Sequence, residues 1–482
     1  MDNSKELSPE IAEKRAYEAV NEFIAGMEKD NINIGKIKEI TELAFIKDEE
    51  TAKRMIEPVF GVLVNDLKKS FTKKEGDIYL QIFPYFILAA KEKSHIVQKW
   101  FEKMHISSTS PIEDLYSRSL DLRKPKTLMS IEDKNKIKKA IILSRNTIGA
   151  EACINGIIIN RAMANLPNAK IIFVDTTNSG RHIFNHPRIS SISSFVNSEG
   201  KEISLLWDRH NISVLSRFEY TANLSDFIEI ETSGLDEKEF IVFDADTRLS
   251  QTGAMPICAP DRHYFIDTVL KNDNEKVESL GRLCNDYLNR IFQESGMHYP
   301  KIFLPKEEIK KVKEFRKTLP SKKIIMLHFG SGLKSKSLSL EFEKKLALVA
   351  CNYGTPIIIL PPVDWEMEKI KSTISFLEEN GKVKGKDFFT FGAPLSTFVS
   401  LINEMDLCIC YDSQSQHMAA SLGVPFITLF TGYINKTFLQ RWTPISENFF
   451  KIIDIDKNQG NYEEYALNEA IKSLDEFSKP KI

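Results

Sequence analysis

Two loops carry the residues best suited to chemistry. The first is Tyr411-Asp412-Ser413-Gln414-Ser415-Gln416-His417, which follows the apolar run DLCIC. An apolar run of that length reads as a buried strand, so Asp412 and Ser413 stand just past its carboxyl end and His417 opens a helix. In open α/β sheets, ligands bind at that end, where helix N–H groups attract anions. Ser413 can donate to a phosphate, Asp412 can accept from a hydroxyl, and His417 can donate to a diphosphate. Plain helix capping accounts for Asp412 and Ser413 equally well. The second loop, His328-Phe329-Gly330-Ser331-Gly332-Leu333-Lys334-Ser335-Lys336-Ser337, also follows a strand-like run. Its glycines permit close backbone approach, its serines offer hydroxyls, and Lys334 and Lys336 offset negative charge. A charge-assisted hydrogen bond of that kind contributes about 1.5–3 kcal/mol. No G-x-x-x-x-G-K-[ST] pattern fits this loop, and a solvated loop remains the alternative.

Other reactive side chains point less clearly. Asp244-Ala245-Asp246 ends the run FIVFDAD and precedes Arg248. A D-x-D can hold a metal or touch an acceptor, or simply fix a loop through a carboxylate–arginine pair. Cys153, Cys258, Cys284, Cys351, Cys408 and Cys410 contain no C-x-x-C pair, so neither a zinc site nor a disulfide framework is expected. His182 and His186 are four apart, but Pro187 and the turn residues around them weaken any helical ligand pair. Trp207, Trp365 and Trp442 read as packing residues.

Positioning these loops requires a scaffold, and composition bounds it. At about 150 residues per domain, 482 residues suggest roughly three domains. Hydrophobic residues at 42% and charged residues at 27% exclude disorder as the main state. Lys+Arg 65 against Asp+Glu 67 leaves a net charge of −2, without the cationic field that nucleic-acid binding needs. The amino terminus has no apolar signal-peptide core, and no stretch is apolar enough to span a membrane. A cytoplasmic protein is expected, with peripheral membrane contact at most through the lysine run at 134–140.

Residues 1–135 read as an all-helical extension. Ser8 and Pro9 mark a helix start, and Ala12, Ala16, Ala19, Val20, Phe23 and Ile24 follow at helical spacing. Further helical patterns cover 35–46, 48–71, 76–92 and 94–104, and Pro111, Pro125 and the polar run from Ser130 to Lys139 read as a linker. From about 138 the texture changes. KKAIILSR, the turn Asn146-Thr147-Ile148-Gly149, a helix over 150–165 and PNAKIIFVD form a βαβ unit, which implies a parallel sheet. EISLLW and EFIVFDAD continue it. A second series starts at Lys322 and runs through TPIIILPP, DLCICYD and VPFITLF to a final helix over about 462–478. The expected organisation is a helical extension (1–135), a Rossmann-like lobe (136–300) and a second Rossmann-like lobe (301–482).

The segment from Lys322 to about Pro444 resembles the nucleotide-sugar-binding half of glycosyltransferase family 9, the ADP-heptose–lipopolysaccharide heptosyltransferase family. Gly330, Ser331 and Lys336 fall on the family's G-S-x-x-x-x-K-x-W-P loop, with Leu338 in place of Trp and Ser339 in place of Pro. Asp412, Ser413, His417, Ala419, Ala420 and Pro425 fall on its D-[TS]-G-x-x-H-x-A-A-x-x-x-x-P motif, with Gln414 in place of Gly. LFTGY and Trp442-Thr443-Pro444 resemble later stretches. In the first lobe, Ile148-Gly149 and Pro167-Asn168-Ala169 resemble the family's turn and strand entry, while Ala150 stands where the family has Asp.

The resemblance spans about 136–465 and implies a GT-B pair of lobes. Gly330, Ser331, Lys336, Asp412, Ser413 and His417 would bind the donor on the second lobe. Asp244, Asp246 and Arg248 lie on the acceptor lobe. The family implies an inverting, metal-independent transfer with no cofactor. A nucleotide sugar, ADP-linked by analogy, would be co-substrate, and a glycan, lipid-linked molecule or protein the acceptor. Such a transfer needs a general base. Glu151, on the turn after the first strand, is expected to face the cleft and serve, with Asp244 and Asp246 in reserve; a first-turn Glu also simply suits the helix macrodipole. The rival reading is a degenerate binding or scaffold protein acting through its helices, suggested by Ala150, Gln414 and Leu338.

Overall fold

The computed structural model describes residues 8–69, 72–206, 213–270, 276–320 and 323–479. Helices come first. Ser8 caps Pro9–Glu28, which buries Ala12, Ala16, Ala19, Val20 and Phe23 along one face. Ile34–Ala44, Lys73–Lys93 and His95–Lys103 follow, with Phe83, Phe86 and Trp100 in their common core. The helix expected over 48–71 is broken instead. Glu49–Arg54 gives way to a π-helical turn, Glu57–Leu63, and then to Val64–Asp66. Pro58 has no N–H to continue an α-helical ladder there. Pro111 does not belong to a linker: it opens the helix Pro111–Leu122, with Glu113 and Asp114 in the first turn, a place where a missing N–H costs nothing. Ser130 likewise caps a short helix, Ile131–Lys136.

This helical layer packs against the first lobe. Its core continues through Val214, Phe218, Ala222, Ala254 and Met255. Trp100 Nε1 donates to the Pro256 carbonyl at 3.0 Å, and Arg123 donates to the Thr252 carbonyl at 2.7 Å.

Strands β1 (Lys139–Leu143), β2 (Lys170–Val174), β3 (Ile189–Ile192), β4 (Ser194–Val196), β5 (Glu202–Ser204), β6 (Phe240–Asp244) and β7 (His263–Phe265) come next. Five make a parallel sheet in the order β3-β2-β1-β6-β7. The run EISLLW does not join it: β5 pairs antiparallel with β4 as a separate hairpin, and Trp207 lies outside the described residues. The second sheet comprises β8 (Ile324–His328), β9 (Thr355–Ile359), β10 (Phe389–Phe391), β11 (Leu407–Tyr411), β12 (Phe426–Thr431) and β13 (Phe450–Ile455). It is wholly parallel, in the order β10-β9-β8-β11-β12-β13. In each sheet the order reverses beside the first strand, leaving a crevice at the carboxyl ends of β1 and β6 and of β8 and β11.

The two lobes share a core. Met418, Ala419 and Ala420, on the helix Gln414–Leu422, lie in one cluster with Ala150, Ala152 and Ile154. Ser421 Oγ donates to the Ala152 carbonyl at 2.9 Å. Gly149 permits this closeness, because a Cβ there would meet His417 Cδ2 at 3.1 Å and Gln414 Cα at 3.2 Å. Among the described residues no helix is long and apolar enough to cross a membrane. The architecture is a GT-B-like pair of Rossmann-like lobes preceded by helices.

Candidate functional site

A cavity of about 520 Å³ opens between the carboxyl ends of β8 and β11 and the turn after β1. Gly330, Ser331, Lys336, Asp412, Ser413 and His417 all line it, so the six residues read from two separate loops meet in one place. The strands aim the loops, and short contacts set the side chains. Lys336 Nζ reaches Asp412 Oδ2 at 2.5 Å, and Gln416 Nε2 donates to Asp412 Oδ1 at 2.6 Å. Ser413 Oγ accepts from the Ser415 N–H at 3.4 Å, so the capping reading holds for that residue. His328 Nδ1 lies 2.6 Å from Ser415 Oγ. Burial pushes both His328 and His417 down to about 4, because a charged imidazole is poorly solvated there. Both are therefore neutral near pH 7, and His417 Nδ1 has no hydrogen-bond partner.

Glu366 belongs to this cavity and was not singled out from the sequence. Its Oε1 accepts from the backbone N–H groups of Ser331 and Gly332, each at 2.9 Å. A carboxylate thus already occupies the pair of loop donors, leaving Lys336 as the charged donor in the lining, with the His417 ring beside it. The signal was present in the sequence: Glu366 sits in the first turn of the helix that comes after β9 and Pro361-Pro362. Trp442, read as packing, also lines the cavity and meets the His417 ring edge-on at 6.0 Å.

A second cavity of about 640 Å³ lies between the helical extension and the first lobe. Thr147, Phe438 and Trp442 line both cavities, so the two lie side by side. Asp246 and Arg248 line the second one. Asp246 holds a left-handed backbone (φ 54°), and its carboxylate lies 3.6 Å from Lys68. Burial opposes its ionisation, but the charges of Lys68, Arg123 and Arg145 and the Thr268 hydroxyl hold its carboxyl below the usual range. Arg248 donates to Asn65 Oδ1 at 2.9 Å. Asp244 turns the other way: fully buried, it accepts from the Thr247 N–H at 2.8 Å and faces His263 Nε2 at 3.2 Å. The two carboxylates of the D-x-D therefore do not converge.

Glu151 does not face the cleft. Its side chain is fully buried and lines neither cavity. Ser144 Oγ donates to Oε1 at 2.5 Å, Thr177 Oγ1 reaches both carboxylate oxygens at 3.1 Å, and Ser179 Oγ also contacts it. Burial pushes its carboxyl up to about 7, against the pull of those hydroxyls. Glu151 opens the π-helical turn Glu151–Asn155, and its carboxylate meets Ser144 after β1 and the loop after β2 rather than either cavity, a register that a periodic helix reading cannot foresee.

Residues 310–469 match the model of glycosyltransferase family 9 (heptosyltransferase). The match falls within the second lobe, which is similar to the lobe of that family. The family 9 resemblance read from Gly330, Lys336 and the Asp412–His417 segment thus stands, and the chain carries a glycosyltransferase. Its fold is shared with a family 9 glycosyltransferase from Veillonella parvula DSM 2008, with a TM-score of 0.52 at 15% identity over 73% of this chain and 99% of that one. The E. coli ADP-heptose lps heptosyltransferase II is also similar, with a TM-score of 0.45 at 14% identity over 71% of this chain and 98% of that one. So is the E. coli heptosyltransferase WaaC with ADP-2-deoxy-2-fluoro heptose, at 0.44 and 11% over 71% and 100%. No curated protein matches the chain.

Proposed function

We propose that this family 9 glycosyltransferase moves a sugar, heptose or a relative, from a nucleotide diphosphate to an acceptor hydroxyl with inversion. The observation that carries the reading is the pair of adjacent cavities that share Thr147, Phe438 and Trp442 as lining. The donor occupies the cavity of the family 9 lobe and the acceptor the cavity beside the helical extension. Lys336 contacts both the carboxylate and the carbonyl of Asp412 and keeps one of its three ammonium donors for the diphosphate. His417 Nδ1 supplies a neutral donor, and the N-terminus of Gln414–Leu422 adds its dipole. Together these groups stabilise the charge that gathers on the leaving diphosphate, which makes the proposed transfer independent of a metal or cofactor. Of the three carboxylates considered for the base, Asp246 is the one that lines the acceptor cavity. Its carboxyl, held below the usual range, is ionised at neutral pH, as a base must be, although the same lowering weakens its basicity. Six free thiols fit a cytoplasmic setting.

Calorimetric titration with ADP tests the donor half. Wild type binds, and Lys336→Ala with His417→Ala weakens binding at least about a hundredfold, the loss of one charged and one neutral hydrogen bond. Unchanged affinity overturns the reading. The burial of Glu151 favours a second reading, binding without turnover. Release of ADP from an ADP-sugar in the absence of acceptor decides between them, since a pure scaffold releases none.

A further inference from the structure

The acceptor-side cavity is walled by cations from two parts of the chain. Lys68 and Lys69 come from the helical extension, just after the π-helical turn Glu57–Leu63. Arg145, Arg217 and Arg248 come from the first lobe. Against these five, the wall carries two carboxylates, Glu57 and Asp246. Neighbouring groups hold the cations in place. Lys68 lies 3.6 Å from Asp246 and over the Tyr79 ring at 5.0 Å. Lys69 pairs with Asp66, and Arg145 donates to the Asp246 carbonyl at 2.7 Å. Arg217 stacks over the Phe60 ring at 5.2 Å, and Arg248 bonds to Asn65. The Lys68 side chain is only 16% exposed. Burial pushes its ammonium below the usual lysine range, with Asp246 opposing and Arg123 and Arg145 adding to the drop. Like charges collected in a partly desolvated pocket repel one another until an anion enters.

We infer that this cavity receives an anionic group of the acceptor, a phosphate or a carboxylate, and that the helical extension contributes to its recognition through Lys68 and Lys69. The extension is then part of the acceptor site. It lies wholly outside residues 310–469, the stretch that matches family 9. The inference rests on the acceptor reading of this cavity, and the test keeps the two apart.

Thermal unfolding is followed with saturating ADP, which fills the donor side, and with inorganic phosphate or malonate added. Phosphate or malonate raises the wild-type Tm further. Lys69→Gln with Arg248→Gln, both in the cavity lining, weakens that anion response at least about tenfold per lost charge-assisted bond, while Lys69→Arg retains it. Stabilisation by ADP persists in these variants and shows that they fold. A response to phosphate alone assigns a phosphate ester, and one to malonate alone assigns a carboxylate. No anion response in wild type, or an equal one in the double variant, overturns the inference. If ADP itself fails to stabilise wild type, the donor reading falls, and the same titrations without ADP still test the cationic cavity.

Discussion

The two lobes use the same sheet order around their first strand, yet the loop after that strand serves opposite ends. After β8 the chain stays open: Gly330, Ser331 and Lys336 reach a cavity and face Asp412 and His417 across it. After β1 the chain divides: Arg145, Asn146 and Thr147 line a cavity, while the groups around Glu151 close on one another. Ser144, Thr177 and Ser179 turn inward onto Glu151, while Asp175 accepts from the N–H groups of Ser179 and Gly180 at 3.1 and 2.8 Å. Both arrangements join carboxylates to hydroxyls and backbone donors. The second lobe leaves donors over for a ligand at this loop, and the first ties up the hydroxyls around Glu151 and leaves its cations to the neighbouring cavity. Topology thus provides a crevice at each switch point, but whether the crevice binds anything depends on how many polar groups remain unspent.

The comparison can be broken by mutation. The largest effect expected is at Glu151: Glu151→Ala strands three hydroxyls, two of them buried, and costs about 4 kcal/mol in urea unfolding, whereas Glu151→Gln keeps one acceptor oxygen and offers an amide N–H that a rotated hydroxyl can accept, and costs about 1 kcal/mol. A loss of sugar transfer at unchanged stability in Glu151→Gln would instead return this residue to the chemistry.

pH separates the lobes next. Glu151 has a folded pKa of about 7 against an ordinary 4.5, so the folded state keeps its proton longer. Its contribution to stability is complete below pH 4.5 and is lost as pH rises through 7. His328 and His417 have folded values of about 4 against 6.5. Their contribution is present above pH 6.5 and is lost as pH falls through 4. Each shift corresponds to about 3 kcal/mol. The two windows overlap from pH 4.5 to 6.5, where two histidines outweigh one carboxylate, so urea midpoints measured from pH 4 to 8 should rise to a maximum near pH 6.5 and decline slightly to pH 7. Glu151→Gln removes the decline on the alkaline side and leaves the acidic one; a flat alkaline side in wild type contradicts the buried-carboxylate account.

The smallest effect expected lies where the lobes touch. Gly149→Ala pushes a Cβ to 3.1 Å from His417, costing about 1–2 kcal/mol and loosening ADP binding several-fold in calorimetry. Wild-type affinity in this variant would show that the lobes can part without disturbing the donor side.

Much of this was legible in the sequence because its causes are local. A strand buried on both faces is a continuous apolar run, so β1, β2, β6, β8, β9, β11 and β12 announced themselves. The half-buried edge strands β3 and β10 mix polar residues such as Ser190, Ser191 and Thr390 with apolar ones and went unseen. The loop residues Gly330, Ser331 and Lys336 and the segment Asp412–His417 were readable because each loop is one short stretch after one strand. Leu338, in place of the family's Trp, packs into the core of the second lobe.

Residue type and spacing alone determined the two Rossmann-like lobes, the helical extension and the family 9 resemblance. Only the tertiary structure decided that Glu151 points inward, that Glu366 fills the loop donors, that Asp246 and not Asp244 reaches a cavity, and that Lys68 joins Arg145, Arg217 and Arg248. A side chain's direction at a π-helical turn is set by packing against distant strands. A charge cluster drawn from residues 68 to 248 leaves no mark on any single stretch, because the attraction and repulsion that define it act through space and not along the chain.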